Sequence, residues 1–205
     1  MNKNDVKIQE ESLLHNGFIQ VKRYTLQHKL FAGGLSELFS RELVIRHHAA
    51  AALPYDPILD KIVLLEQFRV GALEDDNPWL IEIVAGLLEE GETPEALVHR
   101  EMKEEAGLTP RNILPIFNYW ASPGASNEHV SLFIAEVDAR GAGGIHGLPH
   151  ENEDIRVLVV DTQEALERMH RGEIKNAICL MALLWFQLHK DEVRAKWLTP
   201  ERLTP

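Results

Sequence analysis

The stretch "GLLEEGETPEALVHREMKEEAGL", residues 86–108, carries seven glutamates in twenty-three positions. Glutamate is a strong helix former, and a solvated helix face would account for such a cluster by itself. Thr93 followed by Pro94 reads as a helix start, with threonine as N-cap and proline in the first turn. Gly107 suits the residue just past a helix end. The spacing therefore predicts a helix over residues 94–106. On it, Glu101 and Glu105 lie four apart on one face, with Glu104 beside them. Like charges so placed destabilise a helix by roughly a few tenths of a kcal/mol, and Arg100 and Lys103 offset only part of that. Carboxylate oxygens converging from one face and its flanking loop are what a hard dication such as Mg2+ or Mn2+ requires. On helix logic alone, a solvated face and a cation site both stand.

The whole chain has 205 residues, 45% hydrophobic and 26% charged, which suits a globular unit with a sizeable core. No apolar run is long enough to cross a bilayer. The opening "MNKNDVKIQEE" has neither an apolar signal region nor an Arg/Ser-rich transit character. The single cysteine, Cys179, excludes an internal disulfide, and its apolar neighbours in "NAICLMALLWF" read as the setting of a buried structural thiol. These features lead us to expect a cytoplasmic protein. A net charge of -11 argues against nucleic-acid binding through a basic field. A phosphate compound would still bind if cations stood between the two negative partners.

The first fifty residues read as strands. "GFIQVKRYTLQHKL" alternates apolar and polar positions, "FAGGLSE" turns, and "LSELFSRELVIRH" returns as a hairpin partner. "HAAAALPYD" and "KIVLLEQFRV" are two further strands around a Pro/Asp turn, and "NPWLIEIVAG" reads as one strand leading into the glutamate-rich stretch. "ILPIFNYWAS", "HVSLFIAEVDA" and "IRVLVVD" are strand candidates, with a glycine-rich loop, "RGAGGIHGLPHENED", before the last. "TQEALERMHRG" and "EIKNAICLMALLWFQLHK" are helices, the second apolar nearly all round and so expected to be buried. The tail "AKWLTPERLTP" reads as loosely ordered. The pattern is α+β.

The spacing in residues 86–108 narrows the reading further. Gly86, Glu92, Arg100, Glu101, Glu104, Glu105 and Gly107, with Met102 and Leu108 apolar, fill every fixed position of the Nudix box. Seven fixed positions at ~5–7% usage each would coincide by chance in roughly one window in 10⁸. The chain therefore resembles the Nudix hydrolase superfamily. Within it, Pro123 about fifteen residues beyond the box, "HENEDIRVLVV", "PWLIEIVAG" and "RELVIRHHAA" resemble the ADP-ribose pyrophosphatase branch. The resemblance implies an α/β/α sandwich over residues 51–205. It also implies an N-terminal antiparallel sheet over residues 1–50 for dimerisation and adenosine binding. The implied activity is Mg2+-dependent hydrolysis of ADP-ribose to AMP and ribose 5-phosphate, with Mn2+ able to substitute. A broader nucleoside diphosphate sugar pyrophosphatase, acting for example on a GDP-hexose, is the alternative. A third reading is a ligand sensor that keeps the fold without the chemistry.

The resemblance also implies roles. Glu101, Glu105, Glu104, Glu153 and the backbone carbonyl of Ala85 are the expected metal ligands. Glu151 is the expected general base, with Glu104 and Glu105 in the catalytic set. Arg100 is expected to orient the box glutamates, and Glu92 to buttress the loop into the helix. Phe18, Arg41, Glu42, Arg69, Glu82 and Pro123 are the expected substrate contacts, in a homodimer with shared sites. Phe18 would serve equally as a core residue of an alternating strand, and Pro123 as simple turn geometry. His146 and His150 fit no zinc spacing and read as ordinary loop residues.

Overall fold

A computed structural model describes residues 1–198, which divide into two compact units. The first comprises residues 1–48 and 119–129. Its three strands, β1 (Val6–Asn16), β2 (Gln20–His28) and β3 (Phe39–Ile45), form an antiparallel sheet in the order β1-β2-β3. The hairpin expected around Gly33-Gly34 joins β2 to β3. β1 carries little strand signal in sequence, because Val6 and Ile8 alternate with Lys7 and Gln9 but the polar run after them hides the pattern. It pairs with β2 from Val6↔His28 to Asn16↔Gln20, which puts Phe18 at the tip of a tight turn. Phe18 is 97% exposed, so it is not a core residue of a strand. The segment 119–129 is tied to β3 through Val44, whose N–H donates to the Ala125 carbonyl (2.8 Å) and whose carbonyl accepts from Asn127 (3.3 Å). Pro123 lies in that segment, inside a turn closed by the N–H groups of Ala125 and Ser126 on the Ser122 carbonyl.

The second unit comprises residues 49–118 and those from 130 onward. Its sheet contains β4 (Ala49–Asp56), β5 (Lys61–Phe68), β6 (Trp79–Glu82), β7 (Val84–Leu87), β8 (Asn112–Trp120), β9 (His129–Glu136), β10 (Gly144–His146) and β11 (Ile155–Asp161). The outermost residues of β8 and β9 belong to the first unit. The order is β10-β11-β5-β4-β9-β8, with β6 added to β5 and β7 to β4. β4 runs parallel to β9 and antiparallel to β5 and β7. "NPWLIEIVAG" is therefore two strands, broken at Ile83. Trp79–Glu82 pairs with β5, whereas Val84–Leu87 crosses to β4. Alternation within one segment carries no sign of such a change of partner.

Helix α1 (Pro94–Ala106) covers one face of this sheet. Leu97, Val98, Met102 and Ala106 join Ala50, Ala52, Val63, Leu65 and Phe133 in one buried cluster. Tyr55, on the same strand as the alanines, meets Phe186 edge-on at 4.7 Å. That ring belongs to α3 (Ala177–Trp197), which packs with α2 (Thr162–His170) to complete the α/β/α arrangement. Every residue of β4 is buried, because helices cover it above and below. The alanine run keeps that strand thin enough for both layers to close.

The last helix departs from expectation in three ways, the first being that it begins at Ala177 rather than Glu173. It buries a single stripe, Cys179, Ala182, Leu183, Phe186, Val193 and Trp197, whereas Leu184 and Leu188 are exposed, so it is not covered all round. It also runs on through residues 195–197, read from sequence as part of a loose tail; Trp197 is buried, and residues 199–205 of that tail lie outside the described region. Cys179 is fully buried, and burial pushes its thiol well above the ordinary range, as suits a structural residue.

The ends of α1 lie where the sequence predicts. Thr93 Oγ1 accepts from the Ala96 N–H (3.2 Å), and Gly107 adopts φ 65°, donating to the Lys103 carbonyl. A Cβ at Gly107 would also stand 2.7 Å from His146 Cε1. Gly91 has a similar φ of 79° with nothing around it. Gly107→Ala should therefore cost about 1–2 kcal/mol and Gly91→Ala about 1 kcal/mol or less, measured by urea unfolding. Equal losses would mean that His146 yields freely.

Candidate active site

The acidic cluster and the groups that border it all belong to the second unit. α1 aims its acidic face at the turn where β7 enters the box. Glu105 is 2% exposed, and its Oε2 accepts the Ala85 N–H at 3.0 Å. Glu101 lies against Gly86 so closely that a Cβ there would fall 1.9 Å from Glu101 Oε1. Any side chain at position 86 would expel that carboxylate, which accounts for the glycine. A solvated acidic face does not describe these residues.

Arg100 holds the cluster together from one side. Its Nε and Nη2 donate to the two oxygens of Glu92 (3.0 and 3.1 Å), and Nη1 donates to Glu101 (2.8 Å) and Glu104 (3.2 Å). Nη2 also reaches the Leu87 carbonyl (3.4 Å), and Glu92 Oε2 accepts the Glu89 N–H, so the loop before the helix is pinned to the same guanidinium. The bonds to Glu92 come first among the causes that hold the arginine above its ordinary pKa. A lysine could not serve four acceptors in this fork geometry.

Burial dominates the carboxylate energetics. It pushes Glu101 up to about 7 against the pull of Arg100, and the charges of Glu104 and Glu153 add to the rise. Burial likewise raises Glu105 well above the carboxylate range; the Ala85 N–H opposes this, and Glu101 and Glu153 reinforce it. Glu153 thus belongs to the same field as the helix glutamates. Its loop is fastened to α1 by the Gly147 N–H on the Glu104 carbonyl (3.2 Å), and its own Oε2 accepts the Leu148 N–H (3.1 Å). His146 is more than a passive loop residue, since its ring packs over Gly107 and bonds to the Gly143 carbonyl at 2.9 Å. Glu151 stands apart. It ends the short turn Pro149–Glu151, is exposed, and lies 3.5 Å from His150 Nε2.

A second group borders the first. Glu82, 3% exposed, accepts from Arg69 Nε (3.1 and 3.2 Å) and Nη2 (2.7 Å), from Asn176 Nδ2 (3.0 Å) and from Gln67 Nε2 (3.4 Å). Burial opposes the Arg69 charge, but Glu82 and the fields of Glu105 and Glu153 hold it above its ordinary pKa. Arg69 is therefore a cation facing the acidic cluster. Gln67 and Asn176 were not anticipated; the one available signal was Asn176 as a helix N-cap before an apolar run. Of the remaining candidates, Arg41 stacks over the Phe39 ring (4.7 Å) and Glu42 pairs with Arg23 (2.7 Å), both in the first unit.

The oxygen donors fit a hard dication. Glu101, Glu104, Glu105, Glu153 and the Ala85 carbonyl are all oxygen groups, and burial works against the charged forms of Glu101 and Glu105 in the absence of a cation. Among the described residues no three acidic, histidine or cysteine side chains are already closed into a cage. The carboxylates instead face Arg100 and backbone amides.

A NUDIX domain model matches residues 45–181, and this chain belongs to the Nudix family. Among curated proteins it is 45% identical over 196 residues to the ADP-ribose pyrophosphatase of Escherichia coli K12, covering 95% of this chain and 94% of that one. It is 43% identical to the ADP-ribose pyrophosphatase of Haemophilus influenzae, over 94% and 91% of the two chains. The GDP-mannose pyrophosphatase of Cronobacter sakazakii is 38% identical over 72% of this chain and 78% of its own.

Because burial pushes Glu101 up to about 7 from the ordinary value of 4.5, the folded state holds the extra proton between those values. The contribution of Glu101 to stability is therefore present at low pH and falls as pH rises through that window. Without divalent cations, Glu101→Gln should melt higher than wild type at pH 8, and the gap should narrow towards pH 4.5. Thermal melts in EDTA test this, and a gap independent of pH would contradict it.

Proposed function

We propose that this protein hydrolyses the pyrophosphate of ADP-ribose, with Mg2+ as its cofactor, to AMP and ribose 5-phosphate. The observation that carries the reading is that Glu105 is buried and Glu101 partly buried against residues 85–86, with Glu153 in their field. The likeness to ADP-ribose pyrophosphatases over nearly the whole chain supports the same substrate. The likeness to GDP-mannose pyrophosphatase covers less of the chain, so a GDP-hexose is the second substrate to test. A sensor without chemistry is disfavoured, because every box carboxylate is present.

Glu101, Glu104, Glu105, Glu153 and the Ala85 carbonyl would hold the ions. Bound dications lower the pKa of water and neutralise phosphate oxygens. Arg100 keeps Glu101 and Glu104 in place and ties them to Glu92. Glu151 takes the proton of the attacking water, and its exposed turn on a glycine-rich loop leaves it free to approach a bound substrate. Arg69, set by Glu82, offers a cation to the substrate beside the acidic cluster. Phe18, Arg41 and Glu42 serve adenosine recognition: a fully exposed ring suits a base, and Arg41 suits a phosphate or ring face. Pro123 shapes the turn of residues 122–126 near the ribose. A cytoplasmic setting suits the lone buried thiol.

We also read the protein as a homodimer built on residues 1–50. The first unit has no buried residue, although Val6, Ile8, Leu13, Phe31 and Leu35 are apolar. Three strands whose residues are at most partly covered lack the burial that stabilises a sheet, and a second copy would supply it.

AMP release from ADP-ribose should be abolished by EDTA and restored by Mg2+ or Mn2+, and Glu101→Gln should lower kcat at least about 100-fold in a folded protein. Equal kcat/KM on ADP-ribose, ADP-glucose and GDP-mannose would overturn the narrow substrate. Light scattering should give twice the chain mass, and a monomer at micromolar concentration would refute the dimer.

A further inference from the structure

Asn176 immediately precedes α3 and uses both ends of its side chain. Its Oδ1 accepts the Cys179 N–H at 3.0 Å, capping the helix. Its Nδ2 donates to Glu82 Oε1 at 3.0 Å. The helix dictates which end faces which way, because a flipped carboxamide would set NH2 against an N–H and oxygen against a carboxylate. Serine or aspartate would cap α3 about as well. Only a side chain that both accepts at the helix and donates to Glu82 satisfies the two partners together.

Glu82 is buried, and its neighbours divide the work. Asn176 and Gln67 are neutral donors, so Arg69, bound through Nε and Nη2, is the one cation among the donors to this carboxylate in the described residues. Among the described residues no hydrogen bond leaves Nη1 of Arg69, and its side chain is 43% exposed. That nitrogen is the part available to a ligand, and its direction follows from how Glu82 is seated.

We propose that Asn176 is a positioning residue for substrate: it fixes Glu82, and through Glu82 the guanidinium of Arg69, from the first turn of the last helix. This rests on the reading of Arg69 and Glu82 as substrate-binding groups. Loss of the amide lets the buried carboxylate turn and misdirects Arg69, while the acidic cluster on α1 is untouched. The signature is therefore in KM rather than kcat.

Asn176→Ser keeps a capping oxygen and removes the NH2 that reaches Glu82, its single short hydroxyl being engaged at the helix; Asn176→Asp keeps the cap and sets a second carboxylate against Glu82. Each should raise KM for ADP-ribose at least about fivefold and leave kcat within about threefold, with Asn176→Asp the larger effect. Melting temperature is read alongside, and Asn176→Ser should lie close to wild type. In an Arg69→Ala background, Asn176→Ser should produce no further rise in KM. Unchanged KM in both single variants overturns the proposal, as does a fall in kcat and melting temperature with KM unmoved, which would make Asn176 a cap alone. An undiminished KM effect without Arg69 also overturns it. If Arg69→Ala itself leaves KM unchanged, the substrate-binding reading of Arg69 has failed instead.

Discussion

The site rests on one costly arrangement, two carboxylates, one buried and one partly so, set side by side where a chain turn meets a helix. Water would stabilise Glu101 and Glu105 far better than this pocket does. The fold accepts the cost because α1 is anchored on both sides. Its apolar face is bound into the sheet by Leu97, Val98 and Met102, and Arg100 grips the loop that leads into it. Glycine at position 86 removes the last obstacle. A metal-dependent enzyme gains from such a pocket, since charge that solvent does not satisfy is charge kept for a cation.

The same constraint separates the two kinds of cation in the site. Arg100 belongs to the acidic group and is consumed by it, with Glu92, Glu101 and Glu104 all leaning on one guanidinium. Arg69 is held by its own buried partner, and its Nη1 makes no hydrogen bond among the described residues while Glu105 and Glu153 act on its charge. An overall charge of -11 therefore tells little about what an incoming phosphate would meet.

Sequence alone reached α1 to the residue, because its ends are set by local chemistry: a threonine oxygen, a proline and a left-handed glycine. The glutamate cluster was legible for the same reason, as helical spacing converts directly into geometry. The failures occur where distant partners decide. Ile83 separates two strands because β5 claims one half and β4 the other. Phe18 sits on a hairpin tip because of a register with β1 that the polar run "QEES" conceals. Asn176 and Glu82 are ninety-four positions apart, and no local pattern could have joined them.

The alanines of β4 have a consequence for how this molecule tolerates change. Ala50 and Ala52 lie under α1 in a fully packed layer, so methyl groups added there have nowhere to go but upward, against the helix that carries the acid groups. Drift in this lineage is then limited by volume beneath the acidic helix as much as by charge upon it, and a variant that keeps every polar residue intact can still displace them.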